Sequence, residues 1–117
     1  MDVHHIGTPP PARAERPILV GHVETQDLVG EEAAHLRMAA ITFRDGARTR
    51  LHHHSFDQVL LITDGKGILA SEAHQNHVSP GDVVFVPTGE RHWHGAEPGA
   101  SMTHVSITEV GETIIDE

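Results

Sequence analysis

From Pro17 onward, apolar runs of strand length alternate with breaks marked by polar residues, glycine or proline. Ile18 to Val23 reads as a first strand, followed by a polar connection through Gly30, and Ala34 to Phe43 as a second. Leu51 to His54 and Gln58 to Thr63 follow, and Asp64-Gly65-Lys66-Gly67 has the composition of a tight hairpin turn. Ile68 to Ala73, Asn76 to Val78, Asp82 to Val86, Arg91 to Ala96 and Met102 to Val110 complete the series. Val29 to Met38 is the nearest approach to an amphipathic helix, and it is short and lacks paired caps. Many short strands at regular spacing predict an all-β sandwich or barrel, and closing a barrel removes exposed sheet edges. Residues 1–16 contain three consecutive prolines, Pro9 to Pro11, which suit an extended arm. The expected organisation is one domain: an arm over 1–16, a barrel over 17–110 and a tail over 111–117.

Composition narrows the chemistry. The chain carries 17 acidic and 8 basic residues, a net charge of −9, too few cations for a nucleic-acid-binding face. With no tyrosine and few aromatics it also lacks platforms on which bases would stack. Without cysteine there are no disulfides, thiolate ligands or cysteine nucleophiles. No apolar run approaches bilayer length and the N-terminus lacks a secretory pattern, so no membrane partner and a cytoplasmic location are expected. The remaining partner class is a small-molecule substrate.

Histidine is abundant, 12 of 117 residues, so a single histidine pair means little and placement decides. In LHHHSFDQ, from Leu51 to Gln58, strand alternation sends His52 and His54 to one face and His53 to the other. Gln58 returns to the face of His52 and His54 if the next strand resumes in phase. Downstream, GDVVFVPTGERHWH puts His92 and His94 on one face of another strand, delivered by the turn at Pro87 and Gly89. Imidazoles converging from distant strands suit zinc, copper, iron, nickel or manganese. His53 reads as an outward residue. His4, His5, His22, His35, His74 and His77 read as surface residues.

These stretches resemble the cupin family. Gly46 to Gly65, GARTRLHHHSFDQVLLITDG, matches the first cupin motif at Gly46, His52, His54 and Gly65, with Gln58 where glutamate is usual. Gly81 to His92, GDVVFVPTGERH, matches the second at Gly81, Pro87, Gly89 and His92; Ala96 stands where the family often has asparagine. The resemblance implies a double-stranded β-helix, or jelly-roll barrel, with one divalent metal ion on His52, His54, Gln58 and His92. Within cupins, GART before the first motif, the glutamine, H-W-H-G at His92 to Gly95 and M-T-H at Met102 to His104 are similar to the manganese-type hydroxynitrile lyases. That likeness implies manganese, with iron, nickel, zinc or cobalt as alternatives. By position, His104 would be a catalytic base and His94 a second pocket histidine, or a support for a ligand. Pairing of small cupins through a sheet face implies a homodimer, for which outward Val59, Leu61 and Trp93 offer apolar surface.

A neutral glutamine beside three neutral imidazoles leaves a divalent cation its full charge, which favours Lewis-acid chemistry over dioxygen activation. Ala39, Ile41, Phe43, Leu60, Ile62 and Met102 would supply apolar pocket walls, suited to a small aldehyde or aromatic compound. No arginine or lysine is expected to clamp an anion there. A hydroxynitrile-lyase-like enzyme is the leading expectation; a quercetinase-type dioxygenase and a non-catalytic binding module are the competitors.

Overall fold

Thirteen strands and no helix make up the chain, which the computed structural model describes over residues 1–117. They are β1 (Ala12–Ala14), β2 (Leu19–Val20), β3 (Val23–Val29), β4 (Leu36–Phe43), β5 (Arg48–Thr49), β6 (His52–His54), β7 (Gln58–Gly65), β8 (Gly67–Ser71), β9 (Gln75–Val78), β10 (Val83–Val86), β11 (His92–Ala96), β12 (Met102–Glu109) and β13 (Thr113–Ile115). One sheet has the order β1-β3-β4-β12-β7-β10. The other runs β13-β6-β11-β5-β2, with β8 also paired to β11 and β9 to β8. After β4 the chain passes repeatedly from one sheet to the other, the crossing pattern of a jelly roll.

Period-two alternation does the sorting. Along β7, Gln58, Leu60 and Ile62 are buried while Leu61 and Thr63 are exposed. Phe43, Leu60, Ile62 and Met102 from the first sheet share one core with Leu69, Val78, Val86 and Ala96. Burying each large apolar side chain there contributes roughly 1.5–3 kcal/mol. The core occupies one end of the barrel interior. At the other end the same inward positions carry polar groups, such as Gln58 on β7 and Ser106 on β12, and the two sheets enclose a cavity.

Several sequence expectations change here. Residues 23–29 were expected to lie mostly in a polar connection, yet VETQDLV is a strand with buried Gln26. The arm makes this possible: the Gln26 amide donates to the carbonyls of His5 (3.0 Å) and Thr8 (3.2 Å) and accepts from Gly7 N–H (2.7 Å). Buried polar groups need such partners. Asp64-Gly65-Lys66-Gly67 is not a hairpin turn, because β7 and β8 belong to different sheets. It is the crossover, and Gly65 sits there at φ 79° with Ser101 so close that a Cβ would collide with its carbonyl. The expected tail contains β13, which pairs with β6, the strand of three histidines. The outward surface has Leu61, Val83 and Phe85 exposed side by side, while Trp93 is half-buried with the Arg48 guanidinium 5.3 Å from its ring centre.

Candidate metal centre

Register brings the histidines together. His92 on β11 pairs directly with His52 on β6, and alternation keeps His54 and His94 on the same inner face. The ligand atoms of His52, His54 and His92 lie within 4.8 Å of one another, and all three residues are buried. The rings of His52 and His92 are 4.2 Å apart between centres.

Each ring is held by its other nitrogen. His52 Nδ1–H donates to the carbonyl of Arg50 (2.7 Å), and His92 Nδ1–H to that of Glu90 (2.8 Å). Carbonyls only accept, so both rings must carry their proton on Nδ1 and present a bare Nε2 lone pair inward. His54 Nδ1 lies 2.8 Å from Thr113 Oγ1. Gln58 belongs to the same floor: its Nε2 donates to Ser106 Oγ (3.0 Å), which turns Oε1 the other way. His54 Nε2, His92 Nε2 and Gln58 Oε1 are buried and have no hydrogen-bond partner in the protein. Orphaned lone pairs of this kind are costly unless something electropositive satisfies them. The donor set thus fits a divalent cation.

Burial also sets the charge of the site. Desolvation above all, with His92 and His54 nearby adding to it and the Arg50 carbonyl opposing it, lowers the pKa of His52 to about 3. Desolvation, then His92, takes His54 to about 4. Burial likewise lowers His92. Every imidazole of the cluster is therefore neutral near pH 7, the form that binds metals.

Beside the cluster stand two more buried histidines in contact. His94 Nδ1 lies 2.9 Å from His104 Nε2, so one hydrogen is shared between them. Desolvation holds His104 at about 4 and His94 well below its usual value, the latter helped by the His104 ring. His94 lines the cavity with its Nδ1 engaged. His104 does not line it; Phe43 and the His94 ring lie against it, with centres 5.4 and 4.8 Å away. The expected base is therefore set behind His94, which holds the wall position.

The cavity measures about 710 Å³. His52, His54, Gln58, His94 and Ser106 form its buried end, and Ala39, Ile41 and Phe43 its wall as expected. Leu60, Ile62 and Met102, expected in the same wall, are instead packed in the closed end of the barrel. Their strands run the full length of the interior, and alternation fixes the face but not the depth. Phe56, Thr113 and Ile115 line the cavity without having been foreseen, and so do Arg16 and Arg37 toward solvent, against the expectation of no cation there. Arg37 is partly occupied, donating to the carbonyls of Ala33 (3.0 Å) and Leu36 (2.8 Å).

Comparison with known proteins bears on this architecture. A family model described as the AraC-like ligand binding domain matches residues 35–111. The chain is 35% identical over 111 residues, 93% of its length, to (R)-mandelonitrile lyase of Granulicella tundricola, covering 85% of that protein. A cupin-like protein of Thermotoga maritima superposes with a TM-score of 0.84 at 29% identity, over 89% of this chain and 83% of the other. The chain is a cupin of the AraC-like ligand-binding family. A shorter similarity, 40% over 48 residues, links the cupin to acireductone dioxygenase of a Sulfurihydrogenibium species, across 38% of this chain and 27% of that protein. No helix is long and apolar enough to cross a membrane.

Proposed function

We propose that this cupin is a metal-dependent lyase acting on a small hydroxy or carbonyl compound, in the manner of a hydroxynitrile lyase. The observation that carries the reading is the convergence of buried, unpartnered neutral donors, His54 Nε2, His92 Nε2 and Gln58 Oε1, with His52 at the end of an apolar cavity. Similarity to (R)-mandelonitrile lyase over 93% of the chain supports the reaction class. His52, His54, His92 and Gln58 would hold one divalent cation, manganese first and iron, nickel, zinc or cobalt after it, and the ion supplies Lewis acidity toward a substrate oxygen.

The protein's own groups do the rest. Ala39, Ile41 and Phe43 exclude water and receive an apolar substituent. In the tautomer that keeps its hydrogen on Nδ1, His94 presents a bare Nε2 to the cavity wall, where it would take a proton from a substrate hydroxyl. As it does, its Nδ1 hydrogen can pass along the 2.9 Å contact to His104 Nε2, spreading the charge over two rings. In cyanohydrin cleavage the C–O bond becomes C=O, the C–CN bond breaks, and cyanide departs with the electron pair and regains a proton.

Dioxygenase chemistry is the second reading, favoured by the short similarity to acireductone dioxygenase. The test is mandelonitrile cleavage by manganese-loaded protein with dioxygen excluded, followed as benzaldehyde release. Anaerobic turnover that is lost in His52→Ala is the expected result. Turnover only with dioxygen would transfer the case to the dioxygenase reading. Metal binding without turnover on any carbonyl or hydroxynitrile would make the cupin a binding module.

A further inference from the structure

The three histidines are not supported alike. His52 and His92 each donate Nδ1–H to a carbonyl two residues earlier, within the same turn of chain that delivers them. His54 instead meets Thr113, 59 residues away on the C-terminal strand. That strand is fastened along the whole of β6: Thr113 stands opposite His54 and Ile115 opposite His52. Ser55 N–H donates to the Glu112 carbonyl (3.0 Å), Glu112 N–H to Ser55 Oγ (2.8 Å) and Asp116 N–H to the Leu51 carbonyl (2.9 Å). On the outer face His53 Nδ1 lies 2.7 Å from Asp116 Oδ2, and Arg91 Nε 3.5 Å from the same oxygen. Thr113 and Ile115 both line the cavity.

We propose that Thr113 is a positioning residue of the metal centre: its Oγ1 accepts the His54 Nδ1–H and thereby fixes the tautomer that turns the His54 Nε2 lone pair inward. The inference rests on the metal-centre reading, since only a ligating His54 needs a bare Nε2. Were the Thr113 hydroxyl the donor, Nε2 would carry the hydrogen and could offer it only to the nearby Gln58 Oε1, with which it makes no hydrogen bond in this structure, and neither atom would then be free for a metal. Phe56 stacks on the His54 ring with centres 4.7 Å apart and planes 14° from parallel, which fixes the ring plane but not which nitrogen is protonated. Choosing the tautomer falls to Thr113. Outer partners of this kind alter metal affinity by roughly 10–100-fold.

Wild type, Thr113→Val and Thr113→Ser would be compared by two readouts. The first is the His54 tautomer in metal-free protein, from nitrogen-15 shifts of the ring. The second is affinity for Mn²⁺ or Co²⁺ by titration, with His52→Ala as the non-binding control. Wild type and Thr113→Ser should show the Nδ1–H form and similar affinity. Thr113→Val should show a mixture of tautomers and bind roughly tenfold or more weakly, with an unchanged melting temperature for the metal-free protein. An Nε2–H tautomer in wild type, or Thr113→Val matching wild type in both readouts, overturns the proposal. Should Thr113→Val fail to fold, Thr113→Ser decides: a valine-like loss of affinity despite a retained hydroxyl overturns it too. Wild type that binds no divalent metal would refute the metal-centre reading, while the tautomer measurement still decides the role of Thr113.

Discussion

Five histidines, His52, His54, His92, His94 and His104, lie buried near one another, and none is hydrogen-bonded to a carboxylate. Acid is therefore the perturbation to which the metal-free fold should respond most. A histidine whose folded pKa is depressed is neutral in the native state while its unfolded counterpart takes up a proton. Its contribution is intact above the unfolded value of 6.5 and declines as the pH falls from there toward the folded value. For His52 the folded value is about 3, and for His54 and His104 about 4. At pH 5 the unfolded forms are almost fully protonated and the native ones are not, so each ring costs roughly 2 kcal/mol relative to pH 8. Three such rings sum to roughly 6 kcal/mol, within the 5–15 kcal/mol that is the whole stability of a typical domain. His92 and His94, also lowered, act in the same direction. The assay is urea unfolding of metal-free protein at intervals from pH 8 to 5. Stability should drop steeply below 6.5, with the unfolded state binding about three protons or more beyond the native one. Replacing one titrating ring with an apolar side chain, His104→Leu, should reduce that loss by roughly 2 kcal/mol. A stability that is flat between pH 8 and 5, or that rises on acidification, would refute the account of a neutral, desolvated cluster.

Two further outcomes follow from the same geometry. Ser106→Ala strips the acceptor from Gln58 Nε2 and leaves a buried N–H unsatisfied, so unfolding stability should fall by about 1–3 kcal/mol. The amide is then free to flip, and metal titration should show weaker binding; undiminished affinity would separate Gln58 from the centre. Leu60→Ala should cost about 2–5 kcal/mol in denaturant unfolding yet leave metal affinity within a factor of two, because Leu60 belongs to the packed end of the barrel. A large change in metal affinity would show that the two ends of the interior are not mechanically separate.

Which face a side chain takes is legible in the sequence, whereas its depth in the barrel and its partner strand are not. His52 and His54 sort from His53 by period two alone, and His92 and Gln58 take their places because β6, β7 and β11 each deliver alternating faces to the same interior. Ala39 and Leu60 obey the same alternation, yet one lines the cavity and the other fills the core, since position along the barrel axis depends on register between strands far apart in sequence. Asp64-Gly65-Lys66-Gly67 misleads for a related reason: a glycine turn between two strand-like runs is local, whereas the choice between pairing and crossing is made by β10 and β12, which occupy both flanks of β7. The same competition explains Thr113. The pair of isoleucines after it has the β-branched character of a strand, but three residues without a neighbour in sequence carry no sign of which edge they will join. The edge it joins is that of β6, the strand that carries His54. A jelly roll that builds its ligand strand at a sheet edge thus leaves that strand needing cover, and the segment covering it gains access to the ligand's outer nitrogen. On the metal-centre reading, support of the site and closure of the edge would be one structural event, with a residue outside both cupin motifs touching one of the histidines inside them.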